Sequence, residues 1–458
     1  MSVNMSIQLP SEIEGRIIRP DDPDYDETRQ ILSGVYDRRP AVIVRAANAD
    51  DVARVVRFAR ETGIELAVRA GGHSNAGHSS TDGGIMLDLR DMDGLEIDPE
   101  SRTAWGEGGL TAGAVTSQLA EYGLAIPFGD TGSVGIGGLT LGGGVGYLVR
   151  KHGMAIDNLI AAEIVTADGE LLRVDAEHHP DLFWAIRGGG GNYGVVTRFQ
   201  FRLQPLDGIV GGMLVLPATP ETIAGFIAAA EAAPDELSTI ANVMSAPPMP
   251  FLPEEAHGKV VILAMLAYAG DAADAERVLA PFRELAEPLA DMLRPMSYPE
   301  MFPPEDPNYH PTAAATTMFV DRVDRGTAET ILQFLESSDA TMRVAQLRVL
   351  GGAMARVPAD ATAFAHRSSP IMVNLAAFYG PDDRARRKEW VAEFAEALNQ
   401  GNPGAYVNFL TDEGPERVRA AYPGATWDRL ASVKARYDPT NLFRLNQNVP
   451  PAAAGGSA

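Results

Sequence analysis

Between Ile64 and Leu89 the chain reads IELAVRAGGHSNAGHSSTDGGIMLDL, and few folds accommodate that string. An apolar, β-branched run (Ile64–Val68) breaks into Arg69-Ala70-Gly71-Gly72-His73-Ser74, then returns to an apolar strand at Ile85–Leu89. Two adjacent glycines let backbone pass close to a bulky, oxygen-rich ligand and turn its N–H groups toward anionic oxygens. His73 stands in the middle of the turn. The pattern suits a cofactor pyrophosphate held by main chain, with an imidazole against the reactive end. Upstream, Ala41–Ala46 reads as a strand. Asn48 or Asp50 can cap a following helix whose inner face carries Val52, Val55, Val56 and Ala59.

A second glycine-dense stretch, Phe128–Gly146, reads FGDTGSVGIGGLTLGGGVG. Glycine at this density costs chain entropy and points to backbone lying against something bulky. A flexible surface loop is the plain alternative. It fits less well, because Val134, Ile136, Leu139, Leu141 and Val145 interleave the glycines and call for burial. Gly189–Gly194 matches the dinucleotide pattern G-x-G-x-x-G, which needs a strand before it and a helix after it. Here a helical stretch precedes and the strand Val195–Leu203 follows, so a nicotinamide site is rejected. Leu95–Asp98 with Thr103–Glu107 reads as a hairpin. So does the segment after Asn158, turning at Asp168-Gly169, and Thr111 can cap a helix ending near Gly123.

Past Pro205–Gly208 the composition shifts toward Ala and Glu. Val210–Leu216, Leu237–Ser245, Val260–Tyr268, Ala313–Phe319, Val344–Leu350 and Met372–Phe378 read as strands. Pro220–Ala233, Ala272–Glu287, Gly326–Glu336 and Arg384–Asn399 read as helices. Long strands alternating with helices predict a sheet covered on one face, with the other free to cover a ligand. Trp427–Tyr437 is helical. In YDPTNLFRLNQNV (Tyr437–Val449), Asn446 and Asn448 would project to the same side of an extended run.

These motifs, R-x-G-G-H-S at Arg69–Ser74, the V-G-x-G-G run from Val134 and the C-terminal Y-D-P-x-N-x-F-R-x-N-x-N, resemble the flavoprotein oxidases of the vanillyl-alcohol oxidase superfamily. The likeness is to the berberine-bridge-enzyme-like branch, which includes the 6-hydroxynicotine oxidases. The resemblance implies an α+β chain with a PCMH-type FAD-binding domain of two α/β subdomains over 1–207 (core about 36–207). A substrate-binding domain would follow at 208–410, its antiparallel sheet covered by helices on one face, with 411–458 returning to the FAD domain. It implies FAD bound covalently through His73, with Arg69, Ala70, Gly71, Gly72, Ser74, His78 and Ser79 around it. Thr131, Gly132, Val134, Gly135, Gly138, Gly142, Gly144 and Val145 would lie along the flavin. Gly194, Val195, Asn446 and Asn448 would complete the contacts. Many relatives carry a second flavin-linking cysteine where this chain has Thr131, so a single covalent bond is expected. Val134 occupies the position that gates oxygen, and a small side chain there fits an oxidase.

The chain lacks cysteine, which excludes disulfides, thiolate metal sites and catalytic thiols. Its formal charge of −23 argues against nucleic acid and suits solubility. No signal peptide or membrane span is read, so a cytoplasmic protein, monomer or homodimer, is expected. No metal site is expected either: His73 and His78 lack further ligands at matching spacing, and His310 and His366 read as structural. In plant relatives a glutamate follows a G-G-x-M run. Here Arg356 stands there, and arginine is a poor base. Gln346, Arg348 and Leu350 share a strand face and can line the pocket. Tyr406 and Asn408 match a family Y-x-N element, with Tyr406 the candidate proton acceptor or hydrogen-bond partner. The expected activity is hydride abstraction from a small alcohol, amine or sugar-like substrate, molecular oxygen being reduced to peroxide. A dehydrogenase using another acceptor, or a flavin-loaded binding protein without turnover, stands as the alternative.

Overall fold

A computed structural model describes residues 7–302, 305–306, 308–380 and 383–453. The extreme N-terminus and most of the Pro450–Ala458 tail therefore lie outside the described residues. Three sheets and their helices position everything that follows.

The first sheet has four strands in the order Arg16–Ile18, Val42–Arg45, Ile85–Asp88, Leu66–Arg69, the last three mutually parallel. The helix Ala49–Thr62 crosses between two of them. It is capped by the Asn48 side chain accepting from the Asp51 N–H, and it ends at Gly63 in a left-handed conformation. Its apolar face, Val52, Val55, Val56 and Ala59, is fully buried against Val42, Val44, Ile85 and Leu87. Parallel strands end at one edge, so Leu66–Arg69 delivers the glycine turn there. A second, five-stranded antiparallel sheet is built from Leu95–Asp98, Thr103–Glu107, Leu159–Val165, Leu171–Asp175 and Val195–Arg202.

The third sheet is antiparallel and eight-stranded, its longest strands being Ile209–Pro217, Leu237–Ser245, Val260–Tyr268, Ala313–Val320, Arg343–Val349 and Ile371–Phe378. Alternate residues pack under the helices Pro220–Ala232, Ala275–Arg283, Arg325–Ser337 and Arg384–Leu398. Ala345, Leu347 and Val349 of one strand are among them. The opposite face meets the glycine-rich part of the chain and the C-terminal return. There Met372, Leu350 and Phe319 pack with Tyr406, Val145 and Met154. The expected strands and helices thus form, as does the helix-on-one-face arrangement.

Two local readings fail, and one segment takes a form that was not predicted. The region 272–287 is one turn of 3-10 helix and then Ala275–Arg283, shortened around Pro281 and ending ahead of Pro288. The middle of the glycine-dense stretch, for which the sequence pattern predicts no element, is a helix, Ile136–Gly142. Its glycines lower helix propensity, but Ile136, Leu139 and Leu141 are buried along it, and tertiary packing decides. The C-terminal run is not extended at its asparagines: it bends at 445–447, the Asn446 N–H donating to the Arg444 carbonyl, so Asn446 and Asn448 do not share a face. Among the described residues no helix is long and apolar enough to cross a membrane, and no His, Asp and Glu cluster suits a metal ion.

Candidate active site

Two glycine loops meet back to back. A Cβ on Gly71 would fall 2.2 Å from the Gly135 nitrogen, and one on Gly135 equally close to that of Gly71, so only glycine permits this contact. Beside it opens a cleft of about 360 Å³, within the range of small-molecule sites. The first loop contributes Ala70, Gly71, Gly72, His73, Ser74, His78 and Ser79. The second contributes Thr131, Val134, Gly135, Gly138, Gly144 and Val145; a third contributes Gly194 and Val195. Tyr406, Asn408 and Asn446 close the cleft from the C-terminal return.

Five expected residues stand behind the lining. Arg69 turns its guanidinium away to the Thr28 carbonyl, under Gly72. The Gly132 carbonyl accepts from the Gly113 N–H at the start of a helix capped by Thr111. Gly142 admits Asn408, whose Oδ1 would be 1.9 Å from an added Cβ. Asn448 lies past the bend. Gln346 reaches Arg348 rather than the cleft, its Oε1 accepting from Arg348 Nε at 2.9 Å and Nη2 at 2.7 Å. Arg356 points to the surface and pairs with Asp235, so no proton acceptor stands at that position.

The cleft fits FAD on three counts. At Gly138 and Gly191, both on the lining, an added Cβ would meet no protein atom within 4 Å. Leu66, Val68, Leu89, Val196 and Phe443 offer an apolar slot for a flat ring at one end. Buried polar atoms facing the cleft from His78 (Nδ1) and Asn446 (Oδ1) find no partner in the chain, and such atoms call for one. The surrounding loops are rigidly held. Lys434, wholly buried, donates to the Asn192 and Phe443 carbonyls and pairs with Asp438 at 2.7 Å, fixing the 189–194 loop and the C-terminal return together.

The reactive side chains are specifically placed. His73 Nε2 lies 2.9 Å from Ser133 Oγ, which donates to Glu305 Oε2 at 2.5 Å; the Ser133 N–H reaches Glu305 Oε1 at 3.0 Å. Burial lowers the His73 pKa from its ordinary value, with Glu305 opposing and Arg69 adding. The Tyr406 oxygen accepts from the Gly144 N–H at 2.9 Å and from Asn408 Nδ2 at 3.1 Å. Those donors favour the phenolate, yet burial outweighs them and the Tyr406 pKa is raised. Tyr406 is therefore neutral, and with its oxygen already accepting twice, its own proton is available to a ligand.

Sequence reasoning missed Asp130, a carboxylate on the lining; Arg348, expected on the pocket-facing side of its strand, stands behind it, with Nη2 2.7 Å from Asp130 Oδ2. The guanidinium also stacks on Phe409, 5.1 Å from the ring centroid. A single acid inside the string F-G-D-T-G-S-V was the available signal. Gln447 also lines the cleft, brought there by the bend. Glu305 and Ser133, 172 positions apart, left no sequence signal.

The chain matches two family models, an FAD binding domain over residues 40–175 and a "berberine and berberine like" domain over residues 405–450. It is 31% identical over 465 residues to (R)-6-hydroxynicotine oxidase of Paenarthrobacter nicotinovorans, covering 98% of this chain and 99% of that one. Xylooligosaccharide oxidase of Thermothelomyces thermophilus is 28% identical over 450 residues, covering 90% and 88%. The crystal structure of 6-hydroxy-D-nicotine oxidase from Arthrobacter nicotinovorans superposes with a TM-score of 0.86 at 30% identity, over 97% of this chain and 99% of that one. Cleft, motifs and relatives agree across nearly the whole length, and the chain belongs to the berberine-bridge-enzyme-like branch of the FAD-linked oxidoreductases.

Proposed function

We propose that this chain is an oxidase carrying FAD on a single covalent bond through His73, and that it acts on a small alcohol, amine or sugar-like substrate. The observation that supports this most is the joining of His73, Asp130 and Tyr406 by one glycine-walled cleft. FAD held there by the loops of Gly71, Gly135 and Gly194 would supply hydride acceptance from a C–H bond beside oxygen or nitrogen, with dioxygen as the final electron acceptor. The chain supplies position and protons. Asp130, the carboxylate of the lining, is the acceptor for the substrate O–H or N–H proton. Arg348 aims it, and Gln346 aims Arg348, with Asn242 Oδ1 in turn accepting from Gln346 Nε2 at 2.8 Å. Tyr406 donates a hydrogen bond to the same heteroatom, its ring fixed by Asn408, whose amide also reaches the Leu139 carbonyl. Val134 leaves the cleft wall open to oxygen, and Thr131 offers no thiol for a second bond.

A relative named for hydroxynicotine and another named for xylooligosaccharide set the range of substrates to try. The test is a peroxide-coupled screen of cyclic amines, secondary alcohols and oligosaccharides. The expected result is peroxide in step with substrate loss. Anaerobic flavin bleaching without peroxide in air would make the chain a dehydrogenase. Failure of every substrate class to bleach the flavin would favour a binding protein without turnover.

A further inference from the structure

His73, Ser133 and Glu305 form a short relay that the oxidation itself does not use. An ionised carboxylate only accepts, so the 2.5 Å contact makes Ser133 Oγ–H the donor to Glu305. With its proton committed, the Ser133 oxygen can only accept from His73, which places the imidazole proton on Nε2. Nδ1 is then the atom with the free lone pair. Glu305 stands at the surface end, while His73 lines the cleft.

We propose that Ser133 and Glu305 are positioning residues for flavin attachment, which present His73 as its Nε2–H tautomer and draw off that proton as Nδ1 bonds to the flavin 8α-carbon. The inference rests on the covalent reading above. In the net reaction the Nδ1–C8α bond forms, and one 8α C–H bond and the Nε2–H bond break. Two electrons pass to dioxygen, and the two protons leave with them as hydrogen peroxide. Without the relay the imidazole is free to take the other tautomer, and the departing proton has no fixed acceptor.

The test follows attachment rather than turnover. Flavin-free protein is mixed with FAD in air, and the colour that stays with the acid-precipitated protein is measured over time. The expected result is attachment slowed at least about tenfold in Glu305→Gln and Ser133→Ala, with non-covalent FAD uptake unchanged and the rate restored in Ser133→Thr, which keeps the hydroxyl. Nitrogen NMR of the isolated flavin peptide is expected to show Nδ1 alkylated. Attachment at the parent rate in Glu305→Gln overturns the relay, as does alkylation at Nε2. If the parent protein itself releases all its flavin into acid, the covalent reading falls and the relay with it.

Discussion

The Tyr406 phenol oxygen is held by two donors while its ring is buried, and Asp130 lines the same cleft, paired with Arg348. In the proposed reading the two divide the work: the carboxylate accepts a proton and the phenol donates a hydrogen bond. Asp130→Asn is therefore expected to lower kcat by about 10²–10⁴-fold, the usual span for a lost proton acceptor, with FAD still bound. Tyr406→Phe is expected to lower kcat/KM less. Steady-state kinetics on a substrate from the screen checks both, and a fully active Asp130→Asn contradicts the assignment. Two histidines bear on stability rather than chemistry. Burial, reinforced by Arg38 for His78 and by Lys151 for His152, pushes both pKa values from 6.5 down to about 4. Below pH 6.5 the unfolded chain takes up protons that the folded one refuses. The stability present above that pH is therefore lost progressively as the pH falls toward 4. Melting temperatures measured from about pH 7 down to pH 5 are expected to drop, and a flat profile would contradict the neutral, buried state of these rings.

At the scale of elements, period and capping were legible wherever a segment had one clear apolar face. Asn48, Thr111 and the strands Leu237–Ser245 and Val260–Tyr268 stand where the pattern puts them. Two segments defeated that logic. The helix Ile136–Gly142 contains three glycines and is flanked by Gly135 and Gly143, and only its packing against the rest of the fold makes it helical. The bend at 445–447 is set by local backbone bonding and by Lys434 holding the Phe443 carbonyl, which no two-residue period registers. Both elements yield predictions. Gly138→Val places a side chain in the space left open inside the cleft. It is expected to give a folded but colourless protein, read from circular dichroism and from visible absorbance. A yellow Gly138→Val protein would show that the cofactor lies elsewhere. Lys434→Ala leaves the buried Asp438 carboxylate without its cation and the Asn192 carbonyl without its donor. It is expected to cost about 3–5 kcal/mol in denaturant unfolding. A loss below about 1 kcal/mol would show the pair to be dispensable.

For the whole molecule, the glycine-loop region was more legible than the eight-stranded sheet, for a physical reason. Holding a pyrophosphate and a flat ring with main chain demands glycines and a fixed histidine at close spacing, and those survive in the string as motifs. The face presented by the eight-stranded sheet is assembled from strands far apart in sequence. The Asn242, Gln346 and Arg348 chain to Asp130 spans 218 positions at its widest single bond, from Asp130 to Arg348, and leaves no local pattern. The relay from His73 to Glu305 escaped for the same reason. The proposed bond between the His73 imidazole and one flavin is what ties the account together. The direct test is to precipitate the purified protein in acid, wash it, digest it and sequence the yellow peptide by mass spectrometry. The account predicts colour retained on the pellet and flavin mass on the peptide containing His73, with none on its neighbours. Colour lost entirely to the supernatant, or flavin carried on any other residue, would contradict it.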